Sequence, residues 1–156
     1  MSAFRVREGT AADTAAVLAL NNANEPAVNA IDDEYLAFLV RHAAFYHVAE
    51  DAEGLVGLVI CLPPGTPYWS HNYKWFSERY EDFLYLDRVA VAERARRVGV
   101  GRALYEEMHR SMHGRFARVA LEVNLRPPNP VSDAFHQRLG YEPVAVRELE
   151  DGKKAV

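Results

Sequence analysis

The chain of 156 residues contains one cysteine, Cys61, so no internal disulfide can form. That thiol lies in the apolar run 55–62, where a buried strand cysteine and a reducing, cytoplasmic compartment are expected. One cysteine and scattered histidines offer no zinc-ligand spacing, and no metal site is expected. No apolar run approaches about 18 residues, the length a membrane-spanning helix needs, so no membrane partner is expected. Residues 1–6 lack the apolar core of a secretory signal. Positive charge is in deficit, with 18 Lys and Arg against 22 Asp and Glu and a formal net charge of −4. That balance argues against a general nucleic-acid surface. Internal repeats and low-complexity tracts are missing as well. What is present is 49% hydrophobic content, enough for a single domain over residues 1–156 with a sizeable core.

Against this acidic background, one segment is locally basic. An apolar strand ending at Val89, Ala90 and Val91 runs into a short turn holding Arg94, Arg96, Arg97 and Arg102, opposed by Glu93 alone. Gly99 and Gly101 lie in the turn, and a helix follows. The first backbone N–H groups of a helix lack intrahelical partners, and with the positive end of the helix dipole they form an anion site suited to phosphate. Glycine there lets the backbone approach the ligand and adopt left-handed dihedrals. Two familiar phosphate loops do not fit. A dinucleotide fingerprint needs a third glycine where Leu104 stands, and a Walker loop needs Lys-Ser/Thr where Arg102 and Ala103 stand.

The run Arg96-Arg97-Val98-Gly99-Val100-Gly101 resembles the Arg/Gln-x-x-Gly-x-Gly/Ala signature of the GNAT superfamily of N-acetyltransferases. Further on, Asn129, Pro130, Ser132, Phe135, His136, Gly140 and Tyr141 are similar to that family's second pattern, Asn-x-x-Ala/Ser-x-x-Phe/Leu-Tyr-x-x-x-Gly-Phe/Tyr. Asn129 before Pro130 is a good helix start, and Gly140 is a good left-handed stop. The resemblance extends over roughly the whole chain and is most specific over residues 83–141.

The coarse order of elements agrees with it. Residues 4–8 alternate as a strand, Thr10 suits the cap of a helix reaching about Asn22, and the acids 32–34 open a second helix. Residues 45–49 and 55–62 read as strands joined by a turn, and 82–91 as the strand before the glycine turn. A helix over 99–113, a strand over 116–124, a helix over 130–139 and a closing strand over 141–147 complete the reading. This β-α-α-β-β-β-α-β-α-β order implies the α/β GNAT fold, a mixed central sheet with helices on both faces. Family members usually add one more strand; here residues 151–156 begin a turn and stop, so such a strand would be very short or lie further on.

By resemblance, the chain is expected to move an acetyl group from acetyl-CoA to an amine, with direct attack in a ternary complex. The backbone of Arg96, Arg97, Val98, Gly99, Val100, Gly101 and Arg102 would hold the pyrophosphate. Val89, Ala90 and Val91 would pair with the pantetheine arm and donate to the oxyanion, while Asn129, Ser132 and His136 complete the cofactor contacts. The valines are expected to face the core. Many family members place a tyrosine where His136 stands. An imidazole there can protonate the leaving thiolate or simply contact the cofactor. Asp87 and Glu122 are carboxylates in otherwise apolar strands and candidate general bases, although each could instead pair with Arg88 or another arginine.

Two variable segments should shape the acceptor site. One is the polar connector 21–29; the other is the aromatic segment 68–76, read as a long loop. For the loop, a lid, a satellite cluster of the core and a homodimer contact all fit. An apolar or aromatic amine is mildly favoured. The alternative is a non-catalytic acetyl-CoA-binding or sensor domain on the same fold. A phosphate or nucleic-acid binder using the arginines is a third class, disfavoured by the acidic remainder.

Overall fold

The longest apolar stretch of the chain becomes the middle of a sheet. In the computed structural model, which describes residues 3–25, 28–125, 128–149 and 154–155, residues 56–62 are all buried. The chain divides into two compact units, Met1–Ala120 and Leu121–Val156. The first holds β1 (Arg5–Glu8), β2 (Phe45–Asp51), β3 (Gly54–Leu62), β4 (Leu84–Val91) and β5 (Val119–Ala120), hydrogen-bonded in that order. All neighbours are antiparallel except β4 and β5, which are parallel, so the sheet is mixed.

Alternation along β3 divides the core. Leu58, Ile60 and Leu62 join Val17 of α1 (Thr14–Asn22), Leu36 and Leu39 of α2 (Asp33–His42), and Tyr73 and Phe76 of α3 (His71–Arg79). The opposite face meets α4 (Val100–Met112), whose Val100, Leu104, Met108 and Met112 recur every fourth residue and are buried. α4 lies close over Gly57: a Cβ there would lie 2.7 Å from Val100 Cγ1 and 3.0 Å from Leu104 Cδ1. Farther along, Cys61 Sγ lies 3.3 Å from Met108 Sδ, so the lone cysteine is indeed a buried strand residue. Its thiol is pushed well up by burial, with the charge of Asp87 adding to the effect.

The helix starts follow the sequence. Asp13 reaches back to the Thr10 amide at 2.8 Å, closing a short 3-10 turn before α1. Asp32 caps α2 by accepting from Tyr35 N at 2.8 Å.

Three expectations need correction. The aromatic segment 68–76 is not a long loop: Ser70 caps α3, and Tyr68, Tyr73 and Phe76 are buried in the main core rather than in a satellite cluster. The strand over 116–124 is reduced to Val119–Ala120, paired with Leu84 and Tyr85. Immediately beyond that pairing β4 bulges, since Leu86 faces Cys61 while Arg88 faces Ile60, leaving Asp87 as the extra residue. A bulge bends and twists its strand, which ends the ladder. Residues 141–147 form no strand either. Pro143 supplies no N–H, and Val144 and Val146 are exposed. Instead the second unit, after α5 (Pro130–Arg138), contains the two-residue strands β6 (Glu148–Leu149) and β7 (Lys154–Ala155), paired antiparallel. Residues 151–153 and 156 of the closing segment lie outside the described residues.

Candidate functional site

From Val91 the chain passes through a 3-10 turn, Glu93–Ala95, and reaches α4 at Val100. Ala95 is buried and anchors the turn, while residues 96–99 are exposed. Gly99 stands at φ 92° and Arg97 at φ 69°. Arg97 is the one non-glycine at positive φ among the described residues, a conformation that costs about 1–2 kcal/mol. The two left-handed residues flank Val98 in an exposed turn, and turns of this kind can present backbone amides to an anion. The amides of Val100, Gly101 and Arg102 open the helix and have no intrahelical acceptor. Nothing stands within 4 Å of where a Gly99 Cβ would be, so the approach is clear.

The arginine cluster is less uniform than its sequence suggested. Arg94 is held by Asp51, at the end of β2, at 2.6 Å and by Glu53, in the β2–β3 turn, at 3.0 Å. Arg102 pairs with Glu106 one helical turn on, and Arg96 donates to Asn24 Oδ1 at 2.9 Å. Arg97 has no ion pair among the described residues. Glu93 is therefore not the only opposing acid: folding brings Asp51, Glu53 and Glu106 to the same region.

Beside the turn, β4 pairs with β3 along its length but with β5 only at Leu84 and Tyr85. Alternate backbone groups of a strand point away from each neighbour, so around Val89, Ala90 and Val91 one edge lacks a strand partner in this sheet. Ala90, not the valines, is the buried member of this trio; Val89 and Val91 are half-buried.

The β4 bulge places Asp87 in a polar cluster inside the core. Its side chain is only 5% exposed. Asp87 Oδ1 accepts from Tyr68 Oη at 2.8 Å and Oδ2 from Arg88 Nε at 3.1 Å. Tyr68 Oη lies 2.5 Å from Tyr35 Oη, and the Arg88 guanidinium sits 5.1 Å from the centre of the Tyr35 ring. Arg88 also donates to the Asn29 carbonyl at 2.6 Å and to Asn21 Oδ1 at 3.3 Å. Burial raises the Asp87 carboxyl above its ordinary range, against the pull of Arg88 and Tyr68. The Tyr68 hydroxyl is raised too, first by burial and then by the Asp87 charge. Arg88 stays cationic: burial is the largest single influence and opposes its charge, but Asp87, Tyr35 and Tyr68 together more than offset it.

This cluster also pins the connector between α1 and α2. Asn21 Nδ2 donates to Asn29 O, and Asn22 exchanges two 3.0 Å bonds with the backbone of Ile31. Pro26 and Ala27 of the 21–29 connector lie outside the described residues.

The remaining sequence-derived candidates belong to the second unit. Glu122 is half-buried and stands outside any strand. Asn129 caps α5 by accepting from Ser132 N at 3.2 Å, with Pro130 in the first turn. Gly140, at φ 92°, ends the helix, and Tyr141 N returns to His136 O at 3.0 Å. His136 is 9% exposed, its Nδ1 2.7 Å from Ser132 O and 3.3 Å from Ser132 Oγ. Burial lowers its pKa, partly offset by that bond and by Asp133.

The family profile of the GNAT acetyltransferases matches residues 14–141. The chain belongs to the GNAT acetyltransferase family. Solved structures agree on the fold of this GNAT protein. It is similar to Arabidopsis thaliana NAA60, crystallised with a bisubstrate analogue, at 17% identity and TM-score 0.75, over 98% of this chain and 93% of that one. A ribosomal-protein-alanine N-acetyltransferase from Brucella melitensis is 27% identical, with TM-score 0.68 over 91% and 86% of the two chains. AAC(6')-Iy, solved with CoA-S-monomethyl-acetylneamine, is 18% identical, with TM-score 0.70 over 96% and 97%. No curated protein matches. No helix among the described residues is long and apolar enough to cross a membrane, and no group of three His, Cys, Asp or Glu there could hold a metal ion.

Within the first unit of this GNAT protein lie Asp87, Val89, Ala90, Val91 and the whole turn from Arg96 to Arg102. Glu122, Asn129, Ser132 and His136 lie in the second. Sequence reasoning missed Tyr35, and it placed Tyr68 in the aromatic segment 68–76 and Asn21 in the polar connector 21–29 without joining them to Asp87. Tyr35 falls on α2 and Tyr68 just before α3. Neither spacing signals that their hydroxyls meet at Asp87.

Proposed function

We propose that the protein transfers an acetyl group from acetyl-CoA to an amine, by direct attack within a ternary complex, and that residues 1–156 act as one functional domain. The observation that carries this reading is the exposed turn before α4. Left-handed Arg97 and Gly99, the open first amides of the helix and the positive helix end form a cradle for a pyrophosphate. Arg96, Arg97, Val98, Gly99, Val100, Gly101 and Arg102 supply that cradle, chiefly through backbone N–H groups. The unpaired edge at Val89, Ala90 and Val91 suits an added strand-like arm and supplies donors for a developing oxyanion. Asn129, Ser132 and His136 are assigned to the same cosubstrate by family resemblance.

Attack requires a neutral amine, so a base must take a proton from the ammonium form. Asp87 and Glu122 are the candidates. Burial raises the proton affinity of Asp87, which supports it as the acceptor of that proton. His136 is the candidate that meets the leaving sulfur. The aromatic surroundings of Tyr35, Phe38 and Trp69, with ring centres 4.8–5.0 Å apart across the Trp69 contacts, support an amine carried on an apolar or aromatic group.

Isothermal titration with acetyl-CoA tests the cosubstrate, and thiol release across a panel of amines tests the reaction. Saturable binding at one site per chain, with thiol release dependent on an amine, is expected. Absence of binding and of competition by CoA would refute the assignment. Binding without thiol release for any amine would leave a cosubstrate-binding domain and remove the enzyme.

A further inference from the structure

We propose that Tyr35 and Tyr68 form a two-hydroxyl relay that carries the acceptor's proton to Asp87, with Tyr35 as the residue that touches the amine. The inference rests on the acetyltransferase reading and adds a route that the reading lacks. Asp87 is buried and both its oxygens are engaged, one by Tyr68 and one by Arg88. A carboxylate so enclosed reaches an acceptor only through another group.

Proton counting fixes the direction of the chain. An ionised carboxylate only accepts, and a phenol has one proton to give. Tyr68 spends its proton on Asp87 Oδ1, so the 2.5 Å contact between the tyrosines must be a donation from Tyr35 to Tyr68. The Tyr35 oxygen also takes a hydrogen bond from the Arg88 guanidinium, which leaves one of its two lone pairs to accept from an amine. Tyr35 is half-buried, whereas Tyr68 is 4% exposed, so the accepting end of the chain lies toward solvent. Half-exposed Trp69 stacks edge-on against Tyr35 there, with ring centres 5.0 Å apart.

The step balances without a co-reactant. The ammonium N–H bond breaks as an O–H bond forms on Tyr35; the former Tyr35 proton moves to Tyr68, and the former Tyr68 proton to Asp87 Oδ1. The amine is left neutral with its lone pair, both tyrosines are again neutral phenols, and Asp87 is a carboxylic acid. Arg88 is then a buried cation without its anion, which favours return of the proton along the same path once the product has left. The groups facing Asp87 are Arg88 on its own strand, Tyr68 from the segment before α3, Tyr35 from α2 and the Cys61 thiol from β3.

Tyr35→Phe tests this, because it keeps the ring and its aromatic neighbours and does not touch Asp87. With an amine identified by thiol release, the variant should lose at least about tenfold in kcat near pH 7, within the range of general acid–base catalysis. Acetyl-CoA affinity should be unchanged within about twofold, since Tyr35 lies outside the cofactor turn, and 1.4 kcal/mol corresponds to tenfold. The loss should shrink as pH approaches the amine's own pKa, and with amines that are already neutral, because no proton then needs removing. An equal loss at every pH, or no loss, would overturn the relay. A second readout needs no acceptor: the Asp87 carboxyl carbon, assigned by its disappearance in Asp87→Asn, is titrated by NMR. Tyr68→Phe removes a donor from the carboxylate and should raise its midpoint by about half a pH unit or more. Tyr35→Phe should raise it less, through Tyr68; a midpoint unmoved in Tyr35→Phe refutes the chain. If wild type acetylates no amine, the enzyme reading fails, while the titration still decides whether the two tyrosines are coupled to Asp87.

Discussion

Gly57→Ala is a one-carbon change at the point where the sheet meets the proposed cosubstrate helix. The new methyl would stand 2.7 Å from Val100 Cγ1, 3.0 Å from Leu104 Cδ1 and 3.5 Å from Ala49 Cβ. Carbon atoms pack best at about 3.5–4.0 Å, so the first contact is short by about 1 Å. Val100 is stiff at χ1 and is the first residue of α4, so relief comes largely from lifting the helix start. Replacing glycine by alanine gains about 0.4–1 kcal/mol through the unfolded chain, whereas overpacking a core costs about 1–3 kcal/mol. The net expectation is a loss of about 1–2 kcal/mol, a fall in Tm of about 2–8 °C at about 2–4 °C per kcal/mol. Lifting Val100 also moves the amides of Val100, Gly101 and Arg102, so acetyl-CoA should bind about tenfold more weakly, a 1.4 kcal/mol effect. Urea unfolding and calorimetric titration measure both. Adding Val100→Ala removes the nearest atom, and the double variant should be less destabilised than the two singles combined, by about 0.5–3 kcal/mol. A Gly57→Ala protein with wild-type Tm and wild-type affinity would refute the claim that this contact sets the helix start.

Gly101→Glu puts a carboxylate at the helix start proposed to hold a pyrophosphate; acetyl-CoA binding should be lost with the fold retained by circular dichroism, and unchanged affinity would remove the site. Arg88→Met strips the cation from buried Asp87 and a donor from the Asn29 carbonyl, so a loss of about 3–5 kcal/mol in urea is expected, partly recovered by adding Asp87→Asn; a loss under about 1 kcal/mol would contradict the buried pair. Asp13 is held at about 2 rather than 3.8, chiefly by two 2.8 Å bonds from Arg7. Its folded pKa is the lower one, so its stabilisation is present above pH 4 and fades as pH falls toward 2. Asp13→Asn should be less stable at pH 7 and show a flatter decline in Tm below pH 4; parallel curves would refute this, and the slope that remains includes Glu50, held at about 2 by Arg7 and then Arg5, Asp51, held at about 2 by Arg94, and Glu107, lowered by Arg110.

The parts of the fold legible in the sequence were those written in local signals. Thr10, Asp32, Asn129 and Gly140 mark helix ends because caps act within three or four residues. Gly99 and Gly101 announce the turn because left-handed backbone and close approach both favour glycine. What escaped depended on partners far along the chain. Asp51 and Glu53 neutralise Arg94 from 41–43 residues away, so counting charges along the turn overstates its field. The bulge at Asp87 is invisible in the strand itself, since Leu-Asp-Arg-Val alternates acceptably without it; yet it puts Asp87 beside Tyr68 and stops β5 after Ala120. The segment 68–76 was read as a loop, coming after the breakers Pro63, Pro64, Gly65 and Pro67. Ser70 was the available cap signal, with buried Tyr73 and Phe76 three residues apart behind it.

His136 stands where many relatives of the family place a tyrosine, and its hydrogen bond narrows what it can do. A carbonyl oxygen only accepts, so the 2.7 Å contact with Ser132 O puts a proton on Nδ1. A neutral ring so arranged carries a lone pair on Nε2, and giving a proton from Nε2 to a thiolate requires the imidazolium. Burial lowers the pKa below 6.5, so the imidazolium is the minor form at neutral pH and becomes scarcer as pH rises. If His136 is the general acid, kcat should fall on the alkaline side with a midpoint below 6.5, and His136→Phe should remove that limb together with most of the turnover. Acetyl-CoA binding should survive the substitution. The opposite sign applies to stability: a histidine whose folded pKa is depressed loses its contribution as pH falls, so wild type should weaken more steeply below pH 6.5 than His136→Phe, in which His47 and His109, also lowered by burial, still act. Kinetics from pH 5.5 to 9, paired with thermal melts over the same range, separate the two effects. Full activity in His136→Phe, with an unchanged alkaline limb, would end the acid role and leave the ring as a packed helix residue held by Ser132.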